Sequence, residues 1–227
     1  MPVGVLTNIA TVLVGTTVGA IAGSRFPERI RETVMGSLGL LTAAVGVREI
    51  LPTDEFPLVL GAVLLGAVIG ETVGIEGRLN AVGEMLQRRF AGHASDSRFS
   101  EGFIIASLVF CVGPLTILGS IEDGLGDPEL LFVKSGLDGF ASIAFAAVYG
   151  WGVGLAAMAV AVIQGGLALA AGTLEGILTD PMLDALGAAG GILLLGISLR
   201  LLDLRQIRVA NLLPAIVLAP LFVWWWG

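Results

Sequence analysis

The chain has few charged side chains. Only 14% of its 227 residues are Asp, Glu, Lys or Arg, whereas 56% are hydrophobic. A soluble domain usually carries about 25% charged residues. Long apolar segments recur from one end of the chain to the other, and each is near the ~20 residues that a helix needs to cross a bilayer. The composition therefore argues against an ordinary soluble domain and predicts an all-α, polytopic membrane protein.

Cysteine and histidine are nearly absent, with one residue of each, Cys111 and His93. A single cysteine excludes a disulfide within the chain and a thiol metal cluster, and a single histidine excludes a multi-His metal site. The sequence also lacks a Gly-rich phosphate loop with its Lys and a GxSxG nucleophile motif. We therefore expect no cofactor, no metal, no catalytic residue and no nucleic-acid partner, and we expect that the protein is not an enzyme.

Eight apolar segments predict eight membrane spans. The predicted spans are residues 3–22, 33–51, 56–74, 102–121, 130–148, 151–173, 182–202 and 207–226. The boundary between spans five and six is marked only by "YGWG", a turn with interfacial aromatic residues. We expect the spans to form a single membrane domain over residues 1–227.

The distribution of positive charge predicts the orientation of the spans. If the N-terminus lies outside, ten Arg residues fall in the inner loops, and only Arg48 and Lys134 lie toward the outer ends. Cytoplasmic loops of membrane proteins carry an excess of Lys and Arg. The pattern therefore predicts a multi-pass protein with the N-terminus and the C-terminus both outside, and the lipid bilayer as its main partner.

Residues 76–100 are predicted to form a cytoplasmic amphipathic helix and a polar linker. Leu79, Val82 and Leu86 recur at helical spacing opposite Arg88 and Arg89. Such a helix typically lies on the membrane surface with its apolar face in the lipid.

An internal repeat relates the two ends of the chain. The segment "VGTTVGAIAGS" at residues 14–24 resembles "IQGGLALAAGT" at residues 163–173. We therefore predict a first repeat over residues 1–75, spans one to three, and a second over residues 150–227, spans six to eight. Five spans separate the two starts, and this odd number inverts the second copy. Inverted repeats are common in secondary transporters.

The first repeat contains a stripe of glycines, Gly15, Gly19 and Gly23. Small residues four apart allow two helix backbones to approach closely in lipid. The stripe serves either packing within one chain or a homodimer interface. We expect internal packing, with any homodimer contact elsewhere.

The central pair, spans four and five in residues 101–149, carries the main functional signal. Gly113 and Pro114 interrupt span four near its middle, and Asp138 lies near the middle of span five. Unwound backbone at membrane depth is tolerated only where protein buries it or where it lines a cavity. A charge at the bilayer centre costs roughly 2.5–3.5 kcal/mol, so such residues usually mark a site. The two features predict a broken helix and a site at the bilayer midplane.

The predicted binding set contains the broken turn, the charged pair and polar residues at similar depth. Its members are Asp138, Lys134, Gly113, Pro114, Thr116, Ser142, Gln164 and Thr42. Carboxylate, hydroxyl and carbonyl oxygens are hard ligands that suit a cation or the ammonium group of an organic solute. We therefore predict a small secondary transporter or channel-like permease for a small cation or amine-bearing solute, in which Lys134 pairs with Asp138 when the site is empty.

Three alternatives stay open. Lys134 and Asp138 are four residues apart on one helix face, so they can form a purely structural pair, and Pro114 can simply bend its helix. The protein can also be a scaffold or sensor that transports nothing. A membrane enzyme is the remaining alternative.

Two central motifs, "EGFIIASLVFCVGPLTILGSIEDGLGD" and "KSGLDGFASIAFA", resemble the YqgA/YdfK-type family of bacterial inner-membrane proteins of unknown function. The early segment "GTTVGAIAGSRFPERIRETVMGSLGL" is similar to that family as well. The resemblance covers nearly the whole chain. It implies a location in the bacterial inner membrane and places spans four and five together, and it supplies no substrate.

Overall fold

A computed structural model describes residues 2–90, 97–174 and 176–227 of the chain. The helices in these residues are α1 (Val3–Gly23), α2 (Glu28–Ile50), α3 (Phe56–Val73), α4 (Ile75–Phe90), α5 (Ser97–Cys111), α6 (Pro114–Leu125), α7 (Glu129–Tyr149), α8 (Ala156–Leu169), α9 (Ala171–Leu174), α10 (Asp180–Leu201) and α11 (Pro214–Trp226). Two 3₁₀ turns, Gly150–Leu155 and Val209–Leu212, precede α8 and α11. The predicted all-α fold is confirmed, while the predicted polar linker with His93 lies outside the described residues.

The number of candidate spans is lower than the predicted eight. Six of the described helices are long and apolar enough to cross a membrane, and a seventh span results if α5 and α6 together count as one. The difference lies at predicted spans five and six, which form one helical stretch of 41 residues, Glu129–Leu169. The "YGWG" turn that was expected to separate them is itself helical, because a 3₁₀ turn continues from α7 into α8.

The helices group into two compact units. The first comprises Met1–Val34, Asn80–Cys111 and Leu115–Glu175, and the second comprises Met35–Leu79, Val112–Pro114 and Gly176–Gly227. Each unit therefore takes helices from both halves of the chain. The predicted segments at residues 1–75, 76–100, 101–149 and 150–227 stay predictions.

In the first unit, α1 packs along α7 through its glycine stripe. A Cβ atom on Gly19 would lie 2.1 Å from the carbonyl oxygen of Ile143, and one on Gly23 would lie 2.0 Å from that of Ala147. Gly15 is equally crowded. Because the contacts advance in the same direction along both helices, α1 and α7 are parallel. The stripe therefore serves internal packing, as expected from the sequence.

The 41-residue stretch folds back on itself after α7. Gly150 has a φ of 74°, a conformation that L side chains rarely adopt, and it ends α7. Beyond it, a Cβ on Gly154 would lie 3.1 Å from Thr16, and the Gln164 side chain accepts a hydrogen bond from Asn8. These contacts move from the middle of α1 toward its beginning, so α8 is antiparallel to α1. The stretch thus contains two arms, which correspond to predicted spans five and six.

Helices α5 and α6 form one broken span, with a bend of 65° between them. Near the start of α5, the carbonyl oxygen of Phe99 lies 2.0 Å from where a Gly152 Cβ would be. Near the end of α6, the Asp123 carboxylate accepts hydrogen bonds from the backbone N–H groups of Gly4 and Val5, both at 2.9 Å. The α5–α6 pair therefore starts near the level of the C-terminal end of α1 and finishes near the level of the N-terminal end of α1. This confirms the predicted broken helix.

Residues Val112–Pro114, which form the break, pack within the second unit. Gly113 has a φ of 151°, so a side chain at this position would strain the backbone. Pro114 lies 3.3 Å from where a Gly187 Cβ would be, and Val112 lies 3.0 Å from the corresponding point on Gly190. The glycines of α10 thus leave room for the broken turn.

The second unit consists of two antiparallel helix pairs. A Cβ on Gly39 of α2 would lie 2.6 Å from Leu202, and one on Gly46 would lie 2.8 Å from the Gly191 carbonyl oxygen, so α2 and α10 run in opposite directions. Between α3 and α11 the close pairs are Gly61 with Phe222 and Gly66 with Ala215, and Gly70 meets Asn211 in the preceding 3₁₀ turn, so α3 and α11 are also antiparallel. The core shared by α3, α10 and α11 contains Val59, Ala62, Met182, Ala185, Ala188, Ala189, Ala215, Ala219 and Val223.

The predicted amphipathic helix is present as α4, and its first turn is tied to the second unit. The Glu76 carboxylate accepts hydrogen bonds from the Arg200 guanidinium at 3.0 Å and from the Ala210 backbone N–H at 2.8 Å. The Glu76 backbone N–H donates to the Asn211 side chain at 2.7 Å. The position of α4 on the cytoplasmic membrane surface stays a prediction.

The contacts of the glycine stripe predict opposite effects for two glycine substitutions on the α1–α7 pair. Gly19→Ala forces a methyl group against the backbone of α7, and such overpacking typically costs about 1–3 kcal/mol. Gly136→Ala on α7 meets no atom within 4 Å, and alanine favours a helix by about 0.5–1 kcal/mol over glycine. Thermal unfolding of the purified proteins in detergent should therefore show a lower Tm for Gly19→Ala alone. Equal Tm values would contradict the close α1–α7 packing.

Candidate functional site

A cluster of buried polar side chains lies between α1, α6, α7 and α8 in the first unit. Asn8, Thr116 and Gln164 are 0% exposed, and Lys134 and Asp138 are each 6% exposed. These five side chains, together with the carbonyl group of Phe110, are called the central cluster below. Buried polar groups are costly unless they are hydrogen-bonded, so the partners of each member define what the cluster can do.

The Phe110 carbonyl is available because of the proline at the helix break. In an α-helix the C=O of one residue accepts a hydrogen bond from the N–H four residues later. The residue four positions after Phe110 is Pro114, which has no N–H. The carbonyl oxygen instead accepts from Lys134 Nζ at 2.9 Å and from Thr116 Oγ1 at 3.0 Å. The end of α5 at Cys111 leaves its last carbonyls without helical N–H partners, and an ammonium group binds the carbonyl of Phe110.

The same ammonium group forms an ion pair with Asp138. Lys134 Nζ donates to Asp138 Oδ2, and the two residues are one helical turn apart on α7. Asn8 Nδ2 donates to the same oxygen at 2.9 Å, so neither bond uses Oδ1. Since the charges are buried together and each makes a further hydrogen bond, the pair meets the requirement for a tolerated buried ion pair.

The carboxylate fixes the orientation of two side-chain amides. An ionised carboxylate only accepts hydrogen bonds, so Asn8 must direct its NH₂ group toward Asp138. The second N–H of that group donates to Gln164 Oε1 at 3.1 Å. Consequently Asn8 Oδ1 and Gln164 Nε2 are directed elsewhere, and both are buried without a hydrogen-bond partner among the described residues. The cluster thus holds one unused acceptor and one unused donor on its amides.

The structure brings together part of the predicted binding set. Asp138, Lys134, Thr116 and Gln164 belong to the central cluster, and the binding role of all the predicted residues stays a prediction. Ser142 is buried, but its hydroxyl donates to the Gly139 carbonyl of its own helix at 2.8 Å and makes no bond to the cluster. The remaining members, Thr42, Gly113 and Pro114, belong to the second unit.

Asn8 is absent from the predicted binding set, and the carbonyls predicted at the broken turn were not assigned to Phe110. Asn8 is the one amide in the apolar segment "VGVLTNIATVLVG", and amide side chains in membrane helices typically hydrogen-bond across to other helices. Its position near the start of span one concealed this role. The Phe110 carbonyl follows from counting one helical turn back from Pro114.

An open groove of about 580 Å³ lies on the other side of the α1–α7 pair. Its lining is mostly apolar and includes Leu6, Val14, Val18, Phe140 and Ile143. The central cluster is not among its lining residues, so the groove does not mark the polar site. Its composition suits lipid acyl chains.

The fold and the buried cluster define a polytopic helical membrane protein with an ion pair inside its helix bundle. The chain belongs to the family described as protein of unknown function (DUF554), whose model matches residues 3–224. This confirms the resemblance seen in the motifs.

Two relatives match over almost their full lengths. The chain is 33% identical over 230 residues to the uncharacterized protein YqgA of Escherichia coli (strain K12), with 99% of this chain and 98% of that protein covered. It is 28% identical over 225 residues to the uncharacterized membrane protein YdfK of Bacillus subtilis (strain 168), with 97% and 95% covered. No solved structure matches the chain. The comparisons support membrane association and name no substrate.

The ion pair predicts that two substitutions compensate for each other in stability. Lys134→Met leaves a buried carboxylate without its counterion, and Asp138→Asn leaves a buried ammonium. Breaking a buried pair from one side typically costs about 3–5 kcal/mol. The double variant removes both charges and should regain most of that loss. Thermal unfolding of the four proteins measures this coupling, and simple additivity of the two losses would contradict a direct pair.

Proposed function

We propose that the protein is a small secondary transporter or channel-like permease, and that it carries a small cation or amine-bearing solute through the central cluster. The proposal rests on the two oxygen atoms that hold the ammonium group of Lys134. Its ammonium group is held by the carbonyl oxygen that the helix break releases and by the Asp138 carboxylate. The cluster therefore already binds one ammonium group, and its Asp138 carboxylate can bind that of a solute as well.

The location of the pair favours a binding role over a purely structural one. Ionisable residues within membrane helices are expensive and usually mark ion or substrate pathways. A buried ion pair is also a weak source of stability, because well-packed apolar residues often serve equally well. Thr116 already gives the freed Phe110 carbonyl a neutral donor, so a structural role alone does not require the charges. In this proposal the protein binds and moves its solute without altering it chemically, and it is therefore not an enzyme.

The helix directions support an inverted repeat. Span one corresponds to span six in the predicted repeat, and their helices α1 and α8 are antiparallel within the first unit. Spans two and three correspond to spans seven and eight, and in the second unit α2 is antiparallel to α10 and α3 to α11. Transporters built from inverted repeats place their site near the midplane beside discontinuous helices. The broken α5–α6 span and the central cluster fit that plan.

The proposed location is the bacterial inner membrane, with both termini outside. Single cysteines placed in a Cys111→Ala background test the orientation. Ser24→Cys and Leu204→Cys should react with an impermeant maleimide only after cells are opened, because both positions lie in Arg-rich inner loops. Asp54→Cys and Asp127→Cys should react in intact cells. Reaction of Ser24→Cys and Leu204→Cys from opposite sides would contradict the topology.

Flux into proteoliposomes tests the proposed function. We expect uptake of at least one probe from a panel of Na⁺, K⁺, ammonium and methylammonium, or of a small amine-bearing solute. Asp138→Asn should reduce that flux by roughly ten- to hundredfold, since hydrogen bonds to a charged group contribute about 1.5–3 kcal/mol.

Ser135→Ala is the matched control for this experiment. Ser135 is the neighbour of Lys134 and is equally buried, but its hydroxyl donates to the Leu131 carbonyl of its own helix at 2.7 Å. Its flux should equal that of the unmodified protein. Full flux in the Lys134→Met, Asp138→Asn double variant would reject the central cluster as the transport site.

A further inference from the structure

We propose that the solute is a small zwitterion, with its ammonium group bound by Asp138 and Asn8 and its carboxylate bound by Lys134 and Gln164. This inference rests on the proposed function, because it names the substrate class of the same site. It differs from the wider proposal in requiring both charges on the solute.

The net charge of the central cluster favours a zwitterion over a simple cation. Lys134 contributes one positive charge and Asp138 one negative charge, and the other members are neutral, so the cluster has no net charge. A simple cation would therefore bring an uncompensated charge into a buried region, which is strongly unfavourable. A zwitterion adds no net charge. A cation is accommodated only if Lys134 leaves the cluster or loses its proton.

The free hydrogen-bond donors and acceptors of the central cluster also suit a zwitterion. An ammonium group has three N–H donors, and Lys134 uses two of them on Phe110 and Asp138. The third N–H of Lys134 and the unpartnered Gln164 Nε2 are donors, which suit a carboxylate. Both hydrogen bonds to the Asp138 carboxylate go to Oδ2, so Oδ1 accepts neither of them. Asn8 Oδ1 is also without a partner. These two oxygens are acceptors that suit an ammonium group.

The orientation of the amides makes this division specific. Asp138 orients Asn8, and Asn8 orients Gln164, so neither amide can reverse without breaking the network. The ion pair therefore determines that Asn8 presents a free acceptor and that Gln164 presents a free donor. Because Asn8 and Gln164 are fully buried, this conformation is closed, and the solute reaches them when the helices of the first unit separate.

A set of matched solutes tests the inference. Purified protein and proteoliposomes are supplied with glycine, β-alanine or 4-aminobutyrate, which separate the two charges by increasing distances. Methylammonium and acetate are the comparison solutes, with a single positive and a single negative charge respectively. We expect at least one zwitterion to raise the Tm and to be transported, with neither single-charge solute doing so.

Variants then assign the two halves of the solute. Gln164→Met removes a donor at nearly constant size and should raise the half-saturating zwitterion concentration roughly ten- to hundredfold. Ser135→Ala should leave it unchanged. Lys134→Met gives the site a net negative charge, so its preference should change from the zwitterion to methylammonium.

The outcomes separate this inference from the wider proposal. Binding and flux of methylammonium by the unmodified protein, with no response to any zwitterion, would overturn the inference and leave a cation permease. Absence of flux for every solute would overturn both. Because the solute panel uses the unmodified protein, the inference stays falsifiable even if Lys134→Met fails to fold.

Discussion

The missing N–H of Pro114 is the constraint on which the first unit depends. Hydrocarbon supplies no water to a freed backbone carbonyl, so the protein must provide a donor. Thr116 and Lys134 both donate to the Phe110 carbonyl, and Lys134 introduces a positive charge that needs a counterion. Asp138 supplies the counterion, and Asn8 supplies a further hydrogen bond to it. Hydrogen bonds thus link Phe110, Lys134, Asp138 and Asn8 in one connected series.

Close packing of α1 on α7 is what allows the short Asn8 side chain to reach Asp138. The glycine stripe places the two backbones in direct contact, which larger residues would prevent. Asp123 then accepts hydrogen bonds from the first free N–H groups of α1, where a carboxylate is favoured by the helix dipole. A helix held by its first turn and by its glycine face has little freedom to slide along α7. The 2.9 Å bond from Asn8 to Asp138 depends on that fixed register.

Hydropathy and proline chemistry predict much of the fold, and four of the eight residues in the predicted binding set lie together in the central cluster. Apolar length located the helices, Pro114 located the break, and Asp138 was recognisable as a charge far from water. The partners were harder to predict because these helices are apolar on nearly every face. Such helices give little indication of which side faces protein and which faces lipid. The pattern therefore does not indicate that Thr42 belongs to the second unit, or that Asn8 contacts Asp138 directly.

The antiparallel direction of α8 agrees with the predicted boundary between spans five and six, but its side-chain contacts could not be predicted from the sequence. The contact between Gln164 and Asn8 exists because the chain turns at Gly150 and runs back along α1, and no pattern in the sequence pairs these two residues. Only the three-dimensional arrangement brings the second amide to the ion pair. Under the proposed function this contact matters for binding, since a solute that opens the first unit would separate groups that satisfy one another. A ligand shifts such an equilibrium only by its differential affinity for the open state. The solute must therefore replace the bonds that opening breaks, so the network that holds the helices together also restricts the solutes that can separate them.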